Sequence, residues 1–474
     1  MKHIFKLFLI LSLVSLVACK KTPQVDAGNK CDLQRFAFNC SDNDGLVTNA
    51  VAVRASSDLF ITVPDGTDLT RLVPDISATD GAKVYIDNVP YVKGNAYDFS
   101  GDTQLIKIVS EDEYKAAHFS IQVRDGDAEI DNLIYDFIQR YSPPAVSISY
   151  ARREMEAYTA AYGYPASGYS RRCTPETLFR IAGVSQAICA ICIMACKENG
   201  LLSLDDIVFG SGGILGSQNS SLDKIKVKHL LSHSSGLDDS LFGLYSQSVD
   251  DVVRFIHTGK VNQELLQSDN PGEIFYYSEY GYGILARIVK EVSHKPYADY
   301  LKYVMAMAGI FNIQVGDDSM DEFGEKECVY YDYDPDNNPY SLPVHDMAGA
   351  IGIIATPREL TRLLMSIDCE TVVPDILQPE SIGEMFSPFP YSEVSHVSYG
   401  YGWNISDSPN LKQNAYYSYG SMCGSTAICA IFPDSGVCAS LTCNYSPAFY
   451  AEASFRADTE LLFSRIAEII EARH

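Results

Sequence analysis

Ser221-Leu222-Asp223-Lys224 puts a hydroxyl and an amine three residues apart. On one face of a helix that spacing, roughly 5–6 Å between Cβ atoms, would let the amine activate the hydroxyl as a nucleophile. The segment, however, lies in the loop ahead of His229-Leu230-Leu231-Ser232-His233, and its match is read as coincidence. The other side chains of suitable type are scattered. Ser185 and Gln186 stand at the start of a long apolar stretch, but a glutamine cannot take a proton. Tyr277-Ser278-Glu279 supplies a phenol and a carboxylate, both able to move protons. Cys423, in Ser421-Met422-Cys423, has no histidine near it in sequence to make it a thiolate, so a buried structural cysteine is expected. His233 adds an imidazole. These residues suit hydrolysis, yet no nucleophile is assembled among them.

Several function classes are excluded by composition. A formal net charge of −25 disfavours nucleic acid and anionic membrane surfaces, which reward Lys and Arg. With 46% hydrophobic and 20% charged residues in 474, the chain has ample core and suggests two domains, one large. Met1-Lys2-His3 and Lys6 give a basic start, and Leu7 to Val17 form an apolar stretch too short to span a bilayer. It ends Leu16-Val17-Ala18-Cys19, which resembles the lipobox of bacterial lipoproteins. That resemblance implies a signal peptide over 1–18 and lipidation of Cys19. The expected location is the envelope of a Gram-negative-type bacterium, lipid-anchored, with the membrane face open. Twelve further cysteines form no disulfide framework: Cys189, Cys192 and Cys196 lie at i, i+3, i+7 of an apolar helix, where cysteine acts as a small hydrophobe. Cys31 and Cys40 could pair across neighbouring strands, which spacing alone does not establish. No Cys/His cluster has metal-binding spacing, and nothing calls for a cofactor.

Residues 19–30 read as a solvated tether. From 31 to 125 short alternating runs recur between turn signals, among them Leu59-Phe60-Ile61-Thr62-Val63 and Leu105-Ile106-Lys107-Ile108-Val109. Their spacing predicts a small all-β sandwich resembling immunoglobulin-like modules, a spacer or a glycan-binding unit. Beyond Arg124-Asp125-Gly126-Asp127, the spacing of Ile130, Leu133, Ile134, Phe137 and Ile138 predicts a helix, and Ala145 to Tyr150 a strand. Residues 187–196 carry no charge on any face, which predicts a central buried helix stopped by Gly200. An amphipathic helix is expected over 456–472. Terminal helices on one antiparallel sheet, with an all-helical insertion, make an α+β domain.

Motifs within 129–472 resemble the serine β-lactamase-related family, which includes penicillin-binding proteins and class C β-lactamases. Thr174-Pro175-Glu176-Thr177-Leu178-Phe179-Arg180-Ile181-Ala182 is similar to the approach to that family's nucleophile helix, and Leu201 to Asp206 to its exit. His229-Leu230-Leu231-Ser232-His233-Ser234-Ser235-Gly236-Leu237, Pro271-Gly272 and Gly400-Tyr401-Gly402-Trp403 complete the likeness. It implies a β-lactamase/transpeptidase-like fold. It also implies that Gly183 and Gln186 occupy the places of the serine nucleophile and its lysine. Gln186 stands as far from Gly200 as the family's lysine does from its helix-ending glycine, so the register needs no gap. Tyr277-Ser278-Glu279 then replaces Tyr-x-Asn, keeping the tyrosine and exchanging a neutral amide for a carboxylate. Ser421-Met422-Cys423 replaces His/Lys-x-Gly, removing a cation, and Cys423 in place of glycine is expected to narrow the cleft. The HLLSH segment containing His233 is a structural loop in the family.

The expected function is a membrane-tethered pseudoenzyme that binds or scaffolds, with a peptidoglycan, peptide or glycan ligand in a cleft lined by Ser185, Gln186, Tyr277, Glu279, Ser421 and Cys423. The alternative is a hydrolase with relocated chemistry, a peptidase, esterase or β-lactamase-like enzyme using Tyr277, Glu279 and Ser185 or Cys423.

Overall fold

The computed structural model describes residues 30–473 apart from 65, 102, 156, 167–170, 217–221, 243–246, 258–269, 319–325, 333, 335, 392–397, 406–407 and 449–450. Cys19, the signal peptide and Ser221 lie outside the described residues. The chain divides into two compact units, with the boundary between Ala128 and Glu129.

The first unit consists of strands β1 (Leu33–Phe38), β2 (Ala50–Val51), β3 (Val53–Ala55), β4 (Asp58–Pro64), β5 (Pro74–Ala78), β6 (Lys83–Ile86), β7 (Val89–Pro90), β8 (Gln104–Val109) and β9 (Ala116–Gly126). They form two sheets, in the orders β2-β1-β5 and β3-β4-β9-β8-β6-β7. Alternation explains the packing. Phe36 and Ile76 from the small sheet meet Leu59, Ile61, Ile106, Ile108 and Ile121 from the large one in a single core. Pairing of β4 with β9 is parallel.

The second unit runs α1 (Ala128–Tyr141), β10 (Ala145–Arg152), β11 (Tyr158–Gly163), β12 (Phe179–Arg180), α2 (Val184–Glu198), α3 (Val227–Leu231), α4 (Val249–His257), α5 (Glu279–Ser293), α6 (Tyr297–Ala306), β13 (Ile313–Val315), β14 (Tyr331–Asp332), β15 (Ile353–Ala355), α7 (Pro357–Met365), α8 (Pro379–Met385), β16 (Asn404–Ile405), β17 (Tyr416–Met422), β18 (Ser425–Phe432), β19 (Val437–Cys443), β20 (Tyr445–Ser446) and α9 (Glu452–Ala472). Six strands make an antiparallel sheet in the order β11-β10-β19-β18-β17-β16. Every residue of β18 and β19 is buried, which requires cover on both faces; α7 and α9 both pack on these strands.

Helix α2 carries the insertion. Its residues from Val184 to Cys196 are all buried, so the helix has no solvent face and sits among α5, α6 and α8. Gly200, at φ +67°, turns the chain away after it. Burial pushes the thiols of Cys189 up to about 12 and Cys196 up to about 11, which fits their reading as packing groups. All twelve described cysteines, Cys31 and Cys40 included, are free thiols.

Candidate functional site

The N-terminus of α2 is set by the strand before it. Ile181 N donates to Ile353 O at 3.0 Å, and Ala182 then takes φ +47°, a conformation that costs an L-residue on the order of 1 kcal/mol. That turn brings Gly183 against β17. A Cβ built on Gly183 would lie 3.2 Å from the Tyr419 carbonyl oxygen, 3.3 Å from Gly420 Cα and 3.7 Å from Tyr277 Oη. The space beside Gly183 is thus closed on one side by strand backbone.

One turn along, Gln186 is 2% exposed and joins two aromatic partners. Its Nε2 donates to Tyr277 Oη at 2.6 Å, and its Oε1 lies 3.1 Å from His233 Nε2. The backbone N–H of Ser278 donates to His233 Nδ1 at 3.1 Å, so that nitrogen carries no proton. His233 is therefore the Nε2–H tautomer and donates to Gln186. Its ring is packed among those of Tyr277, Tyr282, Tyr399 and Phe275, with centroids 4.5 to 5.6 Å away. Burial depresses its pKa to about 3, leaving it neutral and no proton store at ordinary pH. Tyr277 is 47% exposed along its ring, yet its hydroxyl end is enclosed. Burial, reinforced by the Glu279 carboxylate, raises that phenol well above its ordinary value.

Helix α5 positions Tyr277 and Glu279. Ser278 caps it, its Oγ accepting from Gly281 N at 2.9 Å. Asp239 accepts from Ser278 Oγ and Glu279 N, both at 2.6 Å, and from Tyr280 N at 3.2 Å. Across the site, Ser421 on β17 donates to Glu452 Oε2 at 3.2 Å, and Tyr419 donates to Glu452 Oε1 at 2.5 Å. Strand β17 is thus bonded to a carboxylate at both residues.

These groups line an open cavity of about 1140 Å³ containing Gly183, Gln186, Tyr277, Glu279, Ser421 and Cys423. One sequence expectation is corrected. Ser185 does not face the cleft: it is fully buried, and its Oγ accepts from Ile353 N at 3.1 Å, tying α2 to β15. Cys423 lines the cavity as expected, in the turn between β17 and β18 with its thiol bonded to Asp332. Burial and that carboxylate push the thiol up to about 12, away from thiolate chemistry. Sequence reading missed Asp239, Glu452, Asp332 and Tyr399, none of which stands at a fixed spacing from a recognised motif. The role of His233 as Gln186's second partner was missed too, although the segment holding it was singled out.

An antiparallel sheet covered by terminal helices, with a buried helix whose start is set against strand β17, is a β-lactamase/transpeptidase-like domain. The chain belongs to the Beta-lactamase family, whose model matches residues 130–462. Penicillin-binding protein 4* of Bacillus subtilis (strain 168) is 25% identical over 337 residues, 66% of this chain and 71% of that protein. Protein flp of Staphylococcus aureus (strain MRSA252) is 26% identical over 184 residues, and the match spans 37% of this chain and 36% of that protein. The solved structure of D-amino acid amidase from Ochrobactrum anthropi SV3, complexed with L-phenylalanine amide, matches with a TM-score of 0.59 at 21% identity, covering 72% of this chain and 99% of that one.

The site predicts a pH dependence of stability. His233 and His229 have folded pKa values near 3 and 4, both depressed chiefly by burial, against about 6.5 unfolded. Their stabilising contribution is complete above about pH 6.5 and is lost as pH falls toward those folded values, because the unfolded chain takes up protons the folded one refuses. By about pH 4.5 His233 alone should cost on the order of 2–3 kcal/mol. Urea unfolding should show a flatter acid limb for His233→Gln than for wild type. Parallel limbs would refute this assignment.

Proposed function

We propose that this chain is a binding protein built on a hydrolase scaffold, with its cleft kept open and its turnover removed. Gly183 carries the reading: it has no side chain to acylate, and β17 backbone lies against the space a Cβ would need. The place of the activating lysine holds an amide committed to Tyr277 and a neutral His233. Relocated chemistry has lost two of its candidates, since Ser185 is bonded to backbone and the Cys423 thiol is held protonated. A ligand can still enter. Strand β17 pairs with β18 over its whole length but with β16 only at Tyr416 and Tyr417, leaving the edge from Ser418 to Met422 along the cavity for an extended peptide to pair with.

The test is turnover. Purified protein should hydrolyse neither nitrocefin nor simple acyl esters above background, and a fluorescent penicillin should leave no covalent adduct by intact mass. A rate within about tenfold of an active relative would sink the reading.

Tethering by a lipid on Cys19 in the bacterial envelope is part of the same proposal, with the all-β unit as an immunoglobulin-like spacer. Among the described residues no helix is long and apolar enough to cross a membrane. Cys19→Ser should move the protein from the membrane to the soluble fraction. Unchanged partitioning would mean that something else holds it.

A further inference from the structure

A second cavity, of about 340 Å³, lies between α7, the turn at Gly309 and the segment before β12, and it shares no lining residue with the cleft. Two guanidiniums in its wall are unanswered. Arg358 and Arg362 stand four residues apart on α7, so both project from one face of the helix, where like charges repel. Among the described residues the Arg358 side chain has no hydrogen bond or ion pair. Arg362 donates through Nε to Ala308 O at 2.6 Å and meets no carboxylate. Its head group lies close over Gly309, where a Cβ would stand 3.2 Å from Nη2. A carboxylate in the same wall, that of Glu176, is likewise without a partner. The other two carboxylates there are engaged: Glu154 accepts from the Val372 and Val373 amides, and Glu359 from Asn312 N and Nδ2, both at 3.3 Å.

Beneath these charges the wall is apolar, with Met365 and Val373 both buried. Opposite charges held apart over an apolar floor are complementary to a molecule that is itself dipolar and has an apolar body. A planar guanidinium matches a carboxylate with paired N–H···O bonds, and a carboxylate matches an ammonium group. The volume falls at the low end of the range of about 300–1,000 Å³ usual for small-molecule sites, so it suits one small molecule and not a length of chain.

We propose that this cavity binds a free α-amino acid with an apolar side chain, as its zwitterion, the ligand's carboxylate on Arg358 and Arg362 and its ammonium group on Glu176. The site is separate from the cleft, so it stands or falls independently of whether the cleft turns anything over. The test titrates the full chain by calorimetry with racemic leucine and with two molecules that each lack one of its charges. Isocaproate is without the ammonium group, and isoamylamine is without the carboxylate. None of the three carries an ester or amide bond, so hydrolysis in the cleft could not disturb the result. Leucine should bind about tenfold or more tighter than either of the others. Arg358→Gln should weaken leucine and isocaproate by about threefold to fivefold and leave isoamylamine unchanged. Glu176→Gln should weaken leucine and isoamylamine to a similar degree and leave isocaproate unchanged. Both side chains are exposed and unpartnered, so both variants should keep the melting temperature of wild type. No binding of leucine, equal binding of the three molecules, or variants that lower all three alike or none of them would overturn the proposal.

Discussion

Gly183→Ser combined with Gln186→Lys should give a folded protein that takes a penicillin label slowly and is less stable than wild type. The first change supplies a hydroxyl there, but its Cβ would stand 3.2 and 3.3 Å from β17 backbone, so the strand must yield by a few tenths of an ångström. The second returns an amine within reach of Tyr277. It also removes the oxygen that His233 Nε2–H meets, setting a donor against a donor inside the aromatic cluster. Leaving a buried donor unmet costs about 1–3 kcal/mol. Glu279→Asn, Ser421→His and Cys423→Gly added to the pair should raise labelling further by making the cleft wall less negative. Fluorescent penicillin labelling with peptide mapping of the adduct decides the matter. A well-folded quintuple variant that never labels at the introduced serine would show that the alignment of Gly183 with the nucleophile is wrong.

A large loss of stability is expected from a single methyl group at the site. In Gly420→Ala the new Cβ would lie 2.1 Å from Gly183 N, 2.8 Å from Gly183 Cα and 2.9 Å from Ala182 C. All three are backbone atoms, held by the turn into α2 on one side and by the β17–β18 ladder on the other, so no rotamer change relieves the overlap. The cost should exceed about 3 kcal/mol, with a visibly lower denaturation midpoint. Gly383→Ala is the control. That glycine is exposed in helix α8 with nothing within 4 Å of its Cβ direction, and alanine there should stabilise by about 0.5–1 kcal/mol. If both variants lose stability equally, close approach of α2 to β17 is not what Gly420 serves.

What the sequence disclosed follows the range of the forces involved. Helix α2 was legible because thirteen consecutive residues without solvent contact leave a pattern no surface helix has. Strands β4 and β8 were legible because alternation is local. The parallel pairing of β4 with β9 was not, since nothing in either strand names its neighbour. In the site, positions carried by contiguous motifs were readable. Glu452 was not, being bonded to Ser421 across 31 residues that share no period. Ser185 was misplaced because a residue beside Gln186 in sequence faces away from it on a helix, toward Ile353.

The hydrogen bonds running from Ser278 through His233 and Gln186 to Tyr277 all point the same way, and they start from a peptide N–H that cannot be reversed. His233 and Gln186 each accept a hydrogen bond on one side and donate one on the other. Tyr277, last in line, accepts from the amide, so its own hydrogen is not used in this row. The amide at position 186 thus fixes the direction of the whole row: it can accept from His233 and donate to Tyr277 at the same time, so no member needs to be charged for every bond to be made.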